Sequence, residues 1–257
     1  MSFKDHFSTG SSDYAAFRPS YPPALFDWLA GQCFEHELAW DCATGSGQAA
    51  VELARHFRHV IATDASVQQI QSAKSQPGVE YRVAAAESSG LENASVDLIT
   101  VAQAAHWFDL DRFYAEAKRV VRPQGVIALW GYGRLMLPGT LDEPLAHFYE
   151  HVIGPYWSPE RALIDEGYRN LAFPFSEIAA PRFSIEVSWN LPRLMAYLST
   201  WSAVKRYIEN EGRNPLVALE DELAGNWCVG LKNAGTDCSS QTLLPLEWPL
   251  FLRVGRY

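Results

Sequence analysis

Apolar residues between Glu37 and Gly133 fall into short runs rich in β-branched side chains, and the stretches between these runs have helical spacing. This alternation is typical of a parallel sheet whose strands are joined by helices that cross over its faces. A further helix is predicted at 24–32, ahead of the first strand. The predicted strands are 38–42, 59–63, 79–84, 96–102 and 125–130, and the predicted helices between them are 47–57, 66–75 and 110–122.

The alternation stops after Gly133. The stretch from Leu141 to Glu220 is interrupted by prolines and is predicted to be mostly helical, which gives it the character of a cap over the preceding sheet. In the tail, Leu250, Leu252 and Val254 occupy every second position. This spacing predicts closing strands within 243–257.

Composition and charge limit the classes of function. With 48% apolar and 20% charged residues over 257 positions, the chain is typical of a globular protein. Its formal net charge of -9 disfavours nucleic acid or an anionic membrane as a partner. No apolar run approaches the roughly 18 residues that a membrane span requires, and from the polar residues within 1–10 we expect no secretory leader. We expect a cytoplasmic protein whose four cysteines are reduced thiols.

The most informative stretch follows the first predicted strand. That strand ends near Asp41, the chain turns through Gly45 and Gly47 into a helix, and the next strand ends at Asp64. Glycines allow the backbone to approach a ligand closely, and a carboxylate at the end of the second strand can accept hydrogen bonds from ribose hydroxyls. The pattern predicts a nucleoside-containing cofactor. In the alternative interpretation, the glycines only form a tight turn and Asp64 caps the following helix.

Two other function classes remain open at this point. The segment Gly45-Ser46-Gly47-Gln48-Ala49-Ala50 fits the dinucleotide pattern if Ala50 replaces the third glycine, which would make the protein an NAD(P)-dependent oxidoreductase. The carboxylate of Asp41, the late first strand and the residues after strands three and four argue against NAD(P). The non-enzymatic alternative is a cofactor-binding protein with the same fold.

Five motifs in order carry a resemblance to a known family. They are Trp40 to Gln48, Asp64 to Ser66, Ala86 to Glu87, Ala102 to Phe108 and Val121 to Gly125. On these motifs the region from Phe7 to Gly133 resembles the class I S-adenosylmethionine-dependent methyltransferases, in particular the type 11 branch related to trans-aconitate methyltransferase. The chain departs from the pattern at Ala43, where most of the superfamily has its first glycine, and at Gln124, where a glycine is common.

The resemblance implies S-adenosylmethionine as cofactor and S-adenosylhomocysteine as product, and it implies a role for each matching position. Ala43 and Gly45 would line the methionine part, Asp64 would hold the ribose, and Gln103 would lie beside the methionine end. Asp41 would either order the loop or receive the amino group. The adenine would be surrounded by Ala65, Ala86 and Glu87, and the N-terminal Tyr14 and Arg18 would close over the cofactor.

The sequence gives fewer indications of which residues bind the methyl acceptor. His106 follows the fourth predicted strand and is the candidate base, although it can equally be a pocket wall with Trp107. In the predicted cap, Trp157, Tyr168 and Trp201 supply aromatic walls and Arg161 a cation that suits an acidic small molecule. The alternatives are that the rings fill a helical core and that Arg161 pairs with Asp165 on a helix surface.

A competing motif concerns zinc. The segment His147-Phe148-Tyr149-Glu150-His151 fits the H-x-x-E-H pattern, but no third ligand is identifiable. We therefore expect an exposed helix face and no metal.

These inferences predict an α/β fold with a Rossmann-like, mostly parallel seven-stranded sheet, helices on both faces and a helical cap. Along the chain, 1–135 would be an N-terminal segment plus the cofactor-binding core, 136–240 a mainly helical cap and substrate region, and 241–257 the closing strands of the core sheet. The expected protein is a monomer or homodimer that methylates a small molecule, with a carboxylate as the favoured acceptor.

Overall fold

The structure, a computed structural model, describes residues 20–227 and 239–257. Tyr14, Arg18, Cys228 and Cys238 lie outside these ranges. The described part contains an eight-stranded sheet. Its strands are β1 (Leu38–Cys42), β2 (His59–Asp64), β3 (Val79–Val83), β4 (Val96–Ala102), β5 (Val121–Tyr132), β6 (Ser176–Ile178), β7 (Ser184–Trp189) and β8 (Leu244–Arg256).

The strand order across the sheet is β3-β2-β1-β4-β5-β8-β6, and β7 pairs with β8 off this path. Strands β1 to β5 are parallel, whereas β8 is antiparallel to β5, β6 and β7. The predicted Rossmann-like, mostly parallel sheet is confirmed, with one strand more than the seven predicted. Because β1 to β4 are parallel, their carboxyl ends lie along one edge of the sheet.

Helices flank the sheet. They are α1 (Pro23–Gly31), α2 (Gln48–Leu53), α3 (Val67–Ser72), α4 (Leu110–Val120), α5 (Asp142–His147), α6 (Arg161–Asp165), α7 (Leu191–Ser199), α8 (Ser202–Glu211) and α9 (Leu216–Asn226). Short 3-10 turns occur at Ala105–Trp107, Gly139–Leu141 and Gly154–Tyr156, and a π-helical turn follows α5 at Phe148–Val152. Within residues 20–227 and 239–257, none of the helices combines the length and apolar character needed to cross a bilayer.

Two hydrophobic cores occupy the two faces of the sheet. Along β5, Val126 and Ala128 belong to the core that contains α1 and α2, whereas Ile127 and Leu129 belong to the core that contains α4. The central strands are apolar on both faces because helices cover both, as expected for a parallel sheet. The expected helices on both faces are therefore present.

The region after Gly133 contains strands that the sequence pattern did not predict. We expected Leu141 to Glu220 to be mostly helical, but it also supplies β6 and β7. The residues of β7 alternate between polar and apolar, which is a strand signal. The frequent prolines around it obscured that signal and favoured a description as broken helices.

Strand β8 joins the cap to the core. Its second half, from Leu250, pairs with β5, and its first half, Leu244 to Pro249, pairs with β7. The strand β8 therefore runs through both regions and makes a separate antiparallel ladder in each. The predicted closing strands of the tail are one long strand that fixes the cap beside the parallel sheet.

Two departures from glycine in the family motifs coincide with left-handed backbone. Ala43 has φ 56° and Gln124 has φ 67°. Left-handed backbone costs a residue with a Cβ atom about 1–2 kcal/mol, which glycine does not incur. Gln124 lies in the irregular first part of β5, which begins at Val121 rather than at the predicted residue 125.

We expect Gln124→Gly to raise the free energy of unfolding by about 0.5–1 kcal/mol, because relief of the left-handed strain exceeds the added entropy of glycine in the unfolded chain. The backbone bonds of Gln124 to Tyr257 and Arg256 do not involve its side chain and are retained. Urea denaturation measures the change, with Gln124→Ala as the control that keeps the Cβ atom. Equal stability of the glycine and alanine variants would contradict the explanation.

Candidate active site

The glycine turn connects β1 to α2 at the carboxyl edge of the sheet. Among the residues described, a Cβ atom on Gly45 would meet nothing nearer than Gln69 Oε1 at 3.9 Å, whereas one on Gly47 would collide with the ring of Tyr81. Both glycines have positive φ, at 57° and 86°. Gly47 is thus required by packing within the protein, and Gly45 faces open space that a ligand can occupy.

Asp64, at the end of β2, holds this turn in place. Its carboxylate accepts hydrogen bonds from the backbone N–H groups of Gly45 at 2.9 Å and Ser66 at 2.8 Å. The side chain of Ser66 caps α3 by accepting from the N–H of Gln69. The capping role that the sequence left open for Asp64 therefore belongs to Ser66.

Asp41 is buried beneath the turn. It accepts hydrogen bonds from the hydroxyl groups of Thr44 and, at 2.8 Å, Thr100. Burial raises the pKa of the Asp41 carboxyl to about 6, against the opposing effect of these hydrogen bonds. Of the two roles considered for Asp41, the hydrogen bond from Thr44 supports the ordering of the loop.

The remaining cofactor candidates follow the other parallel strands. Ala65 lies after β2, Ala86 and Glu87 lie after β3, and Gln103 follows β4 with φ 55°. The side-chain amide of Gln103 donates to the carbonyl of Tyr132 at 3.0 Å and so ties β4 to β5. The structure therefore brings to one edge the candidates Asp41, Ala43, Gly45, Asp64, Ala65, Ala86, Glu87 and Gln103.

This edge is acidic. The pKa of the buried Cys42 thiol is raised first by burial and then by the negative charges of Asp41, Glu87 and Asp64. Three carboxylates thus act on one point at the end of β1. The negative potential of these carboxylates stabilises a bound cationic ligand and destabilises a bound phosphate group.

His106 stands in the 3-10 turn after β4. Its Nδ1 lies 2.7 Å from the hydroxyl oxygen of Tyr168, and its ring centroid lies 4.7 Å from that of Trp107, which is exposed. Burial, followed by the positive charge of Arg161, lowers the pKa of His106 to about 4. The imidazole is therefore neutral near pH 7.

Arg161 lies in a cluster of aromatic rings. Its guanidinium carbon is 4.9 Å from the ring centroid of Trp157 and 5.6 Å from that of Tyr149. Its Nε donates to the Tyr149 hydroxyl at 2.7 Å and to Asp165 at 3.3 Å, so the predicted pair with Asp165 is present. Within the described ranges no residue accepts a hydrogen bond from Nη1 or Nη2, which leaves the fork available to a ligand.

Trp201 completes the cluster. The ring centroids of Tyr149, Trp157 and Trp201 lie 5.2–5.7 Å from one another. The Nε1 atom of Trp157 is buried and has no hydrogen-bond partner among the residues described. The structure therefore brings together Trp157, Arg161 and Trp201, and the charge of Arg161 reaches His106.

A cavity of about 490 Å³ has Asp165, Gly167 and Phe251 in its wall and reaches the cluster only through Asp165, since its lining contains neither Arg161 nor the rings of the cluster. This volume is in the range that accommodates a small molecule. A second cavity of about 460 Å³ lies at the opposite, amino edge of the sheet, where β1, β2 and β3 begin, and so lies away from the candidate residues.

Sequence reasoning missed two side chains of this region. Tyr149 lies inside the stretch that was considered for zinc, and Tyr168 was noted only as an aromatic wall. In the sequence, no signal distinguishes these tyrosines from other aromatic residues. Their partners, Arg161 and His106, are 12 and 62 positions away.

The zinc-like pair is exposed. The rings of His147 and His151 lie 5.0 Å apart at the end of α5 and in the π-helical turn. The described residues contain no group of three or more potential ligands that would hold a metal ion.

Comparison with known proteins identifies the family. Residues 40–129 match the model of a methyltransferase domain. A protein of Dictyostelium discoideum described as a methyltransferase is 35% identical over 258 residues, covering 99% of this chain and 95% of the relative. An uncharacterised methyltransferase of Schizosaccharomyces pombe is 33% identical over 224 residues, covering 84% of this chain and 86% of its own length.

A solved structure extends the similarity to three dimensions. The protein is from Anaeromyxobacter dehalogenans and is described as a type II methyltransferase; it is 42% identical, with a TM-score of 0.86, and the match covers 93% of this chain and 98% of that one. Similarity of this extent, on a sheet whose glycine turn and acidic strand end meet at one edge, shows that the chain belongs to the class I methyltransferase family.

Proposed function

We propose that the protein transfers a methyl group from S-adenosylmethionine to a small molecule and that the acceptor atom is a carboxylate oxygen. The observation that carries this proposal is the division of charge along the carboxyl edge of the sheet. Asp41, Asp64 and Glu87 make one end acidic, and at the other end the guanidinium of Arg161 keeps its two Nη atoms open although its Nε pairs with Asp165. A cationic methyl donor fits the first end, and an anionic acceptor fits the second.

The residues at the acidic end fit S-adenosylmethionine. Its sulfonium and ammonium groups are positive, and the open space at Gly45 admits a ligand against the backbone. Asp64 keeps a fixed carboxylate for the ribose hydroxyls. The wall of the adenine site would be formed by Ala65, Ala86 and Glu87, and the methionine part would lie near Ala43 and Gln103. We propose that Tyr14 and Arg18 close over the cofactor.

The same charges argue against the alternative cofactor. A dinucleotide carries two phosphates, which are stabilised by a helix N-terminus free of acidic neighbours. Here the turn lies above Asp41 and beside Asp64 and Glu87. The acidic surroundings therefore favour the sulfonium cofactor over NAD(P).

The acceptor site that we propose lies between Arg161 and His106. Trp157 and Trp201 pack beside the guanidinium, and Trp107 borders His106. The open fork of Arg161 matches the two oxygens of a carboxylate. The resemblance of the motifs to the branch of trans-aconitate methyltransferase supports the same acceptor class.

The chemistry requires little of the protein beyond placement. The cofactor supplies an electrophilic methyl group when bound. A carboxylate is ionised near neutral pH and needs no base. Arg161 and the aromatic walls would therefore contribute by aligning the acceptor oxygen with the methyl group and by excluding water. His106 would act as a base only on an acceptor that arrives protonated, such as a phenol or an amine.

The wider assignments are also proposals. We propose a cofactor-binding core with its N-terminal segment over 1–135, a cap that selects the acceptor over 136–240, and closure of the core sheet by 241–257. We further propose that the protein acts in the cytoplasm as a monomer or homodimer.

We expect Asp64→Asn to weaken binding of S-adenosylhomocysteine by about 1.5–3 kcal/mol, the range for hydrogen bonds to a charged group. Titration calorimetry measures the affinity, and Glu92→Gln, an equivalent loss of charge at an exposed position, serves as the control. Equal affinity of the Asp64 variant and wild type would remove Asp64 from the cofactor site.

We expect Gly45→Val to abolish S-adenosylhomocysteine binding while the protein stays folded, because the side chain would occupy the open space beside the turn. Gly212→Val is the matched control, since Gly212 also has positive φ and open surroundings but ends α8, away from the site. Calorimetry and circular dichroism separate loss of binding from unfolding. Retained affinity in the folded Gly45 variant would disprove the contact.

We test a panel of carboxylates, phenols and amines and expect the enzyme to release S-adenosylhomocysteine with the carboxylates. The rate should be constant from about pH 7 to 9, above the pKa of about 6 of Asp41. Arg161→Met should raise KM for the carboxylate about 10- to 100-fold, because one charge-assisted pair is lost. Lys205→Met, a change on the exposed face of α8, controls for the loss of charge. The proposed carboxylate acceptor is wrong if only phenols are methylated and the rate falls at low pH in wild type but not in His106→Asn.

A further inference from the structure

Arg161 differs from the other arginines that pair with carboxylates in the described ranges. Each of the others uses at least one terminal Nη atom, and Arg134 donates from both of its Nη atoms to Asp142, each at 2.7 Å. Arg161 donates to Asp165 through Nε alone, at 3.3 Å. The two terminal nitrogens, which form the strongest pairs with a carboxylate, are left open although Asp165 lies on the same helix.

The hydroxyl group of Tyr149 joins these two side chains. Its oxygen lies 2.8 Å from Asp165 Oδ1 and 2.7 Å from Arg161 Nε. A guanidinium can only donate a hydrogen bond and a carboxylate can only accept one, so the hydroxyl accepts from Arg161 and donates to Asp165. Burial raises the pKa of the Tyr149 hydroxyl, which therefore keeps its hydrogen near pH 7.

Tyr149 is held in place by its backbone and by its neighbours. It lies in the π-helical turn Phe148–Val152, where the N–H of Ile153 donates to the carbonyl of Phe148 at 3.0 Å. Turns of this kind occur frequently at functional sites. Its buried ring packs between Trp157 and Trp201, at 5.2 and 5.7 Å between centroids. The segment whose histidines fit a zinc pattern thus supplies a tyrosine to the cap.

The terminal nitrogens of Arg161 are accessible. The side chain exposes 20% of its surface, and its guanidinium carbon lies 4.9 Å from the ring centroid of Trp157. Neither Nη1 nor Nη2 is sealed from solvent. Since Nε is occupied by Tyr149 and Asp165, the Nη fork is the part of the guanidinium that a ligand can reach.

Asp165 is the natural competitor for this fork. It lies four positions after Arg161 on α6, a spacing at which opposite charges pair across one helical turn. If its carboxylate closed onto the two Nη atoms, it would occupy the donors that an anionic ligand needs. The hydrogen bond from Tyr149 instead holds Asp165 on the Nε side.

We propose that Tyr149 is a positioning residue that keeps the Nη fork of Arg161 open, by holding Asp165 away from it, and so allows the site to select an anionic acceptor. The use of the fork by an acceptor rests on the proposed function. The effect of Tyr149 on the pair of Arg161 and Asp165 does not.

A crystal structure tests the positioning without an acceptor. In the full-length Tyr149→Phe variant with S-adenosylhomocysteine, we expect Asp165 to accept hydrogen bonds from the Nη atoms of Arg161, whereas in wild type it stays at Nε. Tyr156→Phe is the matched control, because that tyrosine also donates its hydroxyl hydrogen to a carboxylate, that of Glu211 at 2.7 Å. A fork that stays open in Tyr149→Phe would overturn the proposal.

Kinetics test the consequence for the acceptor. With the most reactive carboxylate of the panel, we expect Tyr149→Phe to raise KM about 10-fold while kcat stays within about 3-fold, because ground-state binding is lost. Tyr156→Phe should change neither constant, and calorimetry should give both variants the wild-type affinity for S-adenosylhomocysteine. An unchanged KM, or a loss confined to kcat, would contradict a role in keeping the fork open.

A second substitution tests whether Asp165 is the cause. Asparagine keeps the size of Asp165 but removes the charge that attracts it to the fork. We therefore expect Tyr149→Phe combined with Asp165→Asn to have a KM within about 3-fold of Asp165→Asn alone. A double variant that keeps the full 10-fold defect of Tyr149→Phe would show that the hydroxyl does not act through Asp165.

The failures are distinguishable. If Asp165 closes onto the fork in Tyr149→Phe but only phenols or amines are methylated, the proposed acceptor class is wrong and the action of Tyr149 stands. If carboxylates are methylated but the fork stays open in the variant, the proposed function stands and the role of Tyr149 is overturned.

Discussion

The antiparallel ladder between β5 and β8 is the interaction on which the site depends. It aligns Tyr132 with Leu250 and Gly131 with Phe251 at the edge where the parallel strands end. Phe251 then supports the ring of Tyr168, whose hydroxyl meets His106 at the end of β4. The first half of the same strand, through β7, anchors the cap. The backbone hydrogen bonds of β8 therefore fix the core strands and the cap relative to each other.

Three of the five non-glycine residues with left-handed backbone in the described ranges lie along this edge. They are Ala43, Gln103 and Tyr168, and each stands at the end of a strand or in a turn, whereas Ala94 and Gln124 lie near the opposite edge. Strained residues persist where surrounding contacts hold them, and such places are often functional. Three contacts support these residues. Asp41 accepts a hydrogen bond from Thr44 in the glycine turn, the side-chain amide of Gln103 donates to the carbonyl of Tyr132, and Phe251 packs edge-on against the ring of Tyr168.

The sequence predicted the parallel strands and the glycine turn far better than the contacts around His106 and Arg161, for a physical reason. Strands β1 to β4 and the turn at Gly45 rely on local patterns of alternation, glycine and a terminal carboxylate, all of which are readable in a short stretch. The arrangement around His106 and Arg161 depends on distant pairs, such as His106 with Tyr168 and Tyr149 with Arg161, and an aromatic residue gives no local sign of its partner. β6 and β7 were missed because the prolines near them resemble loop signals.

The place of β8 along the chain constrains how the protein folds. Strand β5 is long and apolar, and β8, which protects its free edge, follows every other strand in the sequence. During synthesis the parallel half of the sheet must therefore wait, with one row of backbone N–H and C=O groups unpaired, until more than a hundred further residues have been added. An open strand edge of this kind is a template for pairing with other chains. The edge is closed only when β8 pairs with it, so the last strand to be made is the one that protects the core against aggregation.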